Sequence, residues 1–143
     1  MDTPEERLIL ALSQTLNTLQ RPLARHTADA GLTHGQFLVL NHLFQKGPGT
    51  VSDLLADLDA TSGSLSVVID NLIKAGLLEK VRFKGDRRKR VLCLTDLGTA
   101  RIEAYAPAYR SELKRLMRDI GFDEKQALLR TLKKLDQRLG IAA

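Results

Sequence analysis

The chain of 143 residues has no tryptophan, four Phe, two Tyr, four Pro and a single cysteine. One cysteine excludes an internal disulfide, so nothing covalent staples the fold. No apolar run approaches the length needed to span a bilayer. The N-terminus, MDTPEERL, is acidic and lacks the apolar segment of a secretory signal, which leads us to expect a cytoplasmic protein. Motifs of phosphate-binding loops, HExxH metalloproteases and Gly-x-Ser-x-Gly hydrolases are missing, and no Cys–His spacing or paired acids stand out. The expectation is therefore not an enzyme, with no cofactor. His26, His34 and His42 show no i, i+4 pair and no acidic or cysteine partner nearby in sequence, so no metal site is expected.

What is present is charge of one sign in one place. Residues 79–90 hold seven bases (Lys80, Arg82, Lys84, Arg87, Arg88, Lys89, Arg90) and two acids (Glu79, Asp86). The whole chain has 22 bases and 17 acids, a net +5, so outside this window fifteen bases stand against fifteen acids. A solvated surface intersperses its signs, whereas a polyanion site concentrates one of them. Bases so close together repel one another unless phosphate neutralises them.

The window belongs to a longer pattern. Leu65, Val68, Ile69, Leu72 and Ile73 repeat as one helix face, with Thr61 or Ser62 able to cap its start and Gly76 its end. Leu77 to Phe83 reads as a strand, Lys84-Gly85-Asp86 as a turn, and Val91 to Leu94 as the returning strand. Upstream, Thr33 with Gln36 opens a helix whose expected buried stripe is Phe37, Leu40, Leu43 and Phe44, with a Leu32–Phe37 staple. Gly47-Pro48-Gly49 ends it. Thr50 with Asp53 then opens a short helix with Leu54, Leu55 and Leu58 inward, and Asp59-Ala60-Thr61 is a tight turn. Two short helices, a tight turn and a basic hairpin make a winged helix-turn-helix.

Apolar helices flank this unit. Thr3-Pro4-Glu5-Glu6 is a helix start, followed by Leu8, Ile9, Leu12, Leu16, Leu19 and Leu23 at helical spacing, with a kink or break expected at Pro22 and a stop at Gly31. Thr95-Asp96 starts a long helix with Tyr105, Tyr109, Leu113, Leu116, Met117 and Ile120 on its apolar side and a kink expected at Pro107. A last helix starts with Asp123 and Gln126, and Leu128, Leu132, Leu135 and Leu139 form a seam along it. The middle is too small to cover all of these, so the end helices are expected to pack against those of a second copy. The fold class is mainly α with a small β-hairpin wing. Its divisions are an N-terminal dimerisation helix (1–30), the winged helix (32–98) and C-terminal dimerisation helices (99–143).

Leu32-Thr33-x-x-Gln36-Phe37-x-x-Leu40, Thr50-Val51-Ser52-Asp53-Leu54, Asp70-x-Leu72, Ala75-Gly76-Leu77-Leu78, Asp86-Arg87-Arg88 and Leu94-Thr95-x-x-Gly98 stand in an order and spacing that resembles the MarR family of bacterial regulators. The resemblance implies a homodimer on a pseudo-palindromic site in double-stranded DNA, mostly a repressor and often released by a small phenolic or quinone-like molecule. It implies that Ser62, Gly63, Ser64, Ser66 and Val67 approach base edges. Asp86 and Arg88 match the wing's carboxylate and minor-groove arginine. With Lys84, Arg87 and Lys89 these form the candidate DNA-binding set. Many relatives carry arginines where Ser62 and Val67 stand, so the reading helix here is almost uncharged. Arginine to guanine is unavailable at these positions, and hydroxyls with Val67 against thymine methyls favour A·T-rich sites.

Four features admit a second reading. Cys93 is either a redox sensor or inert strand core. Tyr105 and Tyr109 either stack on a ligand, joined by His42, Phe44 and Arg110, or pack the core. Gly63 either allows close approach to DNA or relieves packing. The neutral reading helix also fits a winged-helix adaptor that binds a protein or membrane surface instead of DNA.

Overall fold

Three helix starts are closed by reciprocal side-chain and backbone bonds. In a computed structural model describing residues 2–58 and 62–140, without the side chains of Ser62 and Arg87, α1 runs Pro4–Ala28, α2 His34–Lys46 and α3 Val51–Leu58. Thr3 Oγ1 accepts from the Glu6 N–H at 3.1 Å while Glu6 Oε2 accepts from the Thr3 N–H at 2.8 Å. Thr33 with Gln36 repeats the exchange at 3.1 and 2.9 Å, and Thr50 with Asp53 at 3.2 and 2.9 Å. Each such cap contributes about 1 kcal/mol. The kinks expected at Pro22 and Pro107 do not break their helices: α1 continues to Ala28, and α5 spans Asp96–Leu116. A helix-interior proline loses its own N–H bond and crowds the carbonyl four residues back, and here the packing of Leu19 and Leu23 against the core on both sides of Pro22 offsets that cost.

The helix α4 (Ser62–Lys74) ends where the sequence places its stop. Gly76 has φ +75°, its N–H reaches the Ile73 carbonyl, and the Leu77 N–H reaches Leu72. Because that bond occupies Leu77, strand β1 begins one residue later, at Leu78, and runs to Phe83. The expected cap at Thr61 or Ser62 and the turn Asp59-Ala60-Thr61 lie outside the described residues. Strand β2 is longer than expected, Asp86–Leu94, so Asp86 belongs to the strand and the turn is Lys84-Gly85 alone. The strands are antiparallel, from Leu78 opposite Leu94 to Arg82 opposite Arg90, and the register breaks before Phe83 meets Asp86. Gly49 and Leu92 exchange N–H···O bonds of 3.2 and 2.7 Å, tying the hairpin's root to the α2–α3 loop.

The core lies where α1, α2, α4, α5 and the hairpin's root meet. Leu40, Leu54, Leu72 and Ile102 are fully enclosed, with Phe37, Val39, Leu43, Leu65, Ile69, Leu78 and Leu92 around them. Two expected core residues are not in it. Phe44 is exposed, Val39 burying its face of α2 instead, and Ile120 is exposed because α5 stops at Leu116. The part of α5 that is buried is Gly98, Ile102, Ala106 and Tyr109. Gly98 has no alternative: a Cβ there would stand 2.1 Å from the Leu77 carbonyl oxygen. Thr95 completes this junction, its hydroxyl donating to the Gly76 carbonyl at 2.6 Å and accepting from the Gly98 N–H at 3.0 Å.

The last helix, α6 (Phe122–Leu139), starts one residue before the Asp123 at which the sequence places its beginning, with Glu124 rather than Gln126 accepting from the N-cap, the Gly121 N–H, at 3.3 Å. It buries no residue within the chain. Leu128 and Leu139 are exposed, as are Leu8, Ile9 and Leu16 on α1, while Leu132 and Leu135 are half-buried.

Candidate nucleic-acid interface

With Leu65, Ile69 and Leu72 turned inward, α4 presents the opposite side to solvent. Gly63, Ser64, Ser66 and Val67 stand together on that side, as the sequence places them; the Ser62 side chain lies outside the description. Val67 is 60% exposed, a branched apolar side chain that nothing in the fold covers. Around Gly63 a Cβ would meet no atom within 4 Å, so packing inside the chain does not require glycine there. The same exposed face continues through Asp70, Asn71 and Lys74, which the sequence reading left out. The signal for them was available: Asp70 and Asn71 lie one turn beyond Ser66 and Val67.

The hairpin projects beside this helix. Lys84, Asp86, Arg88 and Lys89 are all exposed, and the Arg87 side chain lies outside the description. Asp86 Oδ1 accepts from the Arg88 backbone N–H at 2.9 Å. The carboxylate thus orients Arg88 through its backbone. Arg82 and Arg90 face each other across the ladder, a like-charge pairing that costs stability. Among the described residues the ion pairs are Arg7–Asp2, His42–Asp57 and Arg115–Glu112, none of them on the hairpin. Lys89 is near enough to Asp53 to help lower that carboxyl's pKa, but no described hairpin cation is in ion-pair contact with a carboxylate.

A second, aromatic cluster lies where α1, α2 and α5 meet. The Tyr109 ring centroid is 4.5 Å from Phe37 and 6.3 Å from both His26 and His34. Burial pushes the Tyr109 phenol up and the His34 imidazole down. His34 Nδ1 is buried with no hydrogen-bond partner. Beside it runs a cleft of about 540 Å³ lined by Leu16, Leu19, Gln20, Leu23, Ala24 and His34. Tyr105 is half-buried. The other suggested members are not gathered here: Phe44 and Arg110 are exposed, and His42 turns to α3. There its Nε2 meets Asp57 Oδ2 at 2.7 Å, an acidic partner that sequence proximity did not reveal.

Cys93 stands at the edge of the core. Strand alternation buries Leu92 and leaves Cys93 half-buried opposite Glu79, and burial, then that carboxylate, push the thiol up. Among the described residues no group of three His, Cys, Asp or Glu side chains is arranged to hold a metal ion. No described helix is long and apolar enough to cross a membrane.

Comparison with known proteins agrees with this geometry. A family model described as MarR family matches residues 32–89. The HTH-type transcriptional repressor YetL of Bacillus subtilis is 25% identical over 143 residues, covering 99% of this chain and 86% of the relative. The HTH-type transcriptional repressor NicR of Pseudomonas putida is 28% identical over 129 residues, 85% of this chain and 82% of the relative. A crystal structure of a mutant MarR from E. coli complexed with operator DNA superposes with a TM-score of 0.76 at 26% identity, covering 94% of this chain and 99% of that one. These relatives are regulators of transcription, not enzymes.

Proposed function

We propose that this chain is a MarR-type transcriptional regulator that works as a cytoplasmic homodimer and represses transcription from a pseudo-palindromic operator. In this reading the outer face of α4 enters the major groove. The hairpin lies along the adjacent backbone and reaches the minor groove with Arg88. Residues 32–98 form the DNA-binding unit, and 1–30 with 99–143 join the two copies. The observation that carries it is the set of exposed hairpin cations with, among the described residues, no internal ion pair, standing next to a reading face that carries hydroxyls, Val67 and Asn71.

Phosphate contacts then supply most of the affinity, and α4 supplies the sequence preference. Titration of mixed-sequence duplex at low and moderate salt tests this. The expected result is steep weakening with salt, reflecting release of condensed counterions. Failure to engage duplex at either salt would favour the adaptor reading, which the near-neutral face of α4 supports.

We further propose that a small phenolic or quinone-like molecule relieves repression by occupying the cleft beside His34. The unpartnered Nδ1 and the apolar lining suit an aromatic ring carrying one polar group. Release of bound duplex by a panel of substituted phenols tests the class, and His34→Ala should blunt the response.

A further inference from the structure

Phe83 stands 46% exposed at the end of β1, so burial does not account for an aromatic residue there. Its surroundings do. Lys89 Nζ lies 5.2 Å from the ring centroid, within the range of cation–π attraction. The turn passes close to the ring edge: a Cβ on Gly85 would come within 3.2 Å of Phe83 Cε1. The ladder is also broken at this point. Arg82 pairs with Arg90 and Phe83 with Asp86, so Arg87, Arg88 and Lys89 have no residue of β1 opposite them.

A three-residue bulge of cations has no ladder to hold its side chains in place. Two ties replace it. Asp86 takes the Arg88 N–H, and the Phe83 ring lies beneath the Lys89 ammonium. The choice of a ring has a chemical consequence. A carboxylate in that position would cancel the charge it held, whereas an aromatic face attracts an ammonium and leaves its charge intact.

We propose that Phe83 is a positioning residue for DNA binding, seating Lys89 so that its ammonium meets a backbone phosphate next to Arg88. The proposal rests on the DNA-binding reading and adds to it an uncharged residue whose influence runs through Lys89. Affinities for a mixed-sequence duplex at fixed low salt test it, in the full chain and in Phe83→Leu, Phe83→Tyr, Lys89→Ala and the Phe83→Leu/Lys89→Ala pair. Phe83→Leu weakens binding about two- to fivefold, the size of an exposed cation–π contact, and Phe83→Tyr restores it. In the Lys89→Ala background Phe83→Leu has no further effect. In the unsubstituted protein the Lys89 ε-methylene protons resonate upfield from the ring current, a signature that needs no variant. Parental affinity in Phe83→Leu, a loss that persists without Lys89, or an unshifted Lys89 resonance each overturns the proposal while leaving DNA binding by the wing intact. Absence of salt-dependent binding by the parent protein would instead remove the reading beneath it.

Discussion

At Gly98 the backbone of α5 passes so close to Leu77 that a methyl group would sit 2.1 Å from a carbonyl oxygen. The obstacle is backbone, so no rotamer change relieves it. Gly98→Ala should destabilise the fold by about 1–3 kcal/mol despite alanine's better helix propensity, read as a lower urea midpoint at unchanged slope. His34 makes the second residue-scale prediction. Burial holds its folded pKa below the ordinary value of 6.5, so the unfolded chain takes up a proton first as pH falls. Its contribution is therefore constant above that value and declines below it. Urea midpoints compared between pH 8 and pH 5.5 should fall more in the parent than in His34→Gln. At this scale the sequence was legible where the physics is local: Thr3, Thr33 and Thr50 each found the acceptor or donor three residues on. Gly98 was visible as a motif position, but its cause, a carbonyl more than twenty residues earlier, was not.

Among the elements, the proposed reading has α4 supply sequence preference and the hairpin affinity, so their substitutions should separate. Arg88→Ala should weaken specific and non-specific duplex alike and flatten the salt dependence by about one unit of slope. Parental affinity and slope in that variant would refute the wing assignment. Val67→Ala should lower affinity for an A·T-rich operator roughly four- to tenfold, leave the salt slope unchanged and barely affect random duplex. Competition binding against both duplexes measures the difference. The inward face of α4 was readable because its period of 3.6 is unambiguous. The reach of β2 was not, since Arg87 to Arg90 carry no apolar alternation and only Arg90 among them pairs with β1. Stripe assignment in α2 failed in a similar way. Helical spacing admits either Phe44 or Val39, and the packing of α4 and α5 against α2 decides. The Gly49–Leu92 bridge and the His42–Asp57 pair join positions far apart in sequence, where no local signal exists.

For the whole molecule, α6 is the informative element. It fully buries no residue within one chain, yet carries Leu128, Leu132, Leu135 and Leu139 along one side, while α1 exposes Leu8, Ile9 and Leu16. A helix with such a stripe is stable in water only when something covers it. Light scattering should give twice the 15.9 kDa of a single chain. Leu132→Glu should shift that mass toward one chain and reduce operator affinity far more than affinity for a half-site, since two linked wings gain from effective concentration. An unaltered dimer in this variant would place the interface elsewhere. The uncovered stripe on α6 was legible in the sequence, because the surplus of apolar helix over available core follows from leucine number and spacing.

The Thr95 hydroxyl is shared by the end of one helix and the beginning of another, with no slack between them. A shaft clamped in this way cannot tilt without carrying the floor of the groove-reading helix and the root of the hairpin. In the proposed dimer, a displacement among the rings around Tyr109 would reach α4 and the hairpin along α5 and change the spacing of the two reading heads.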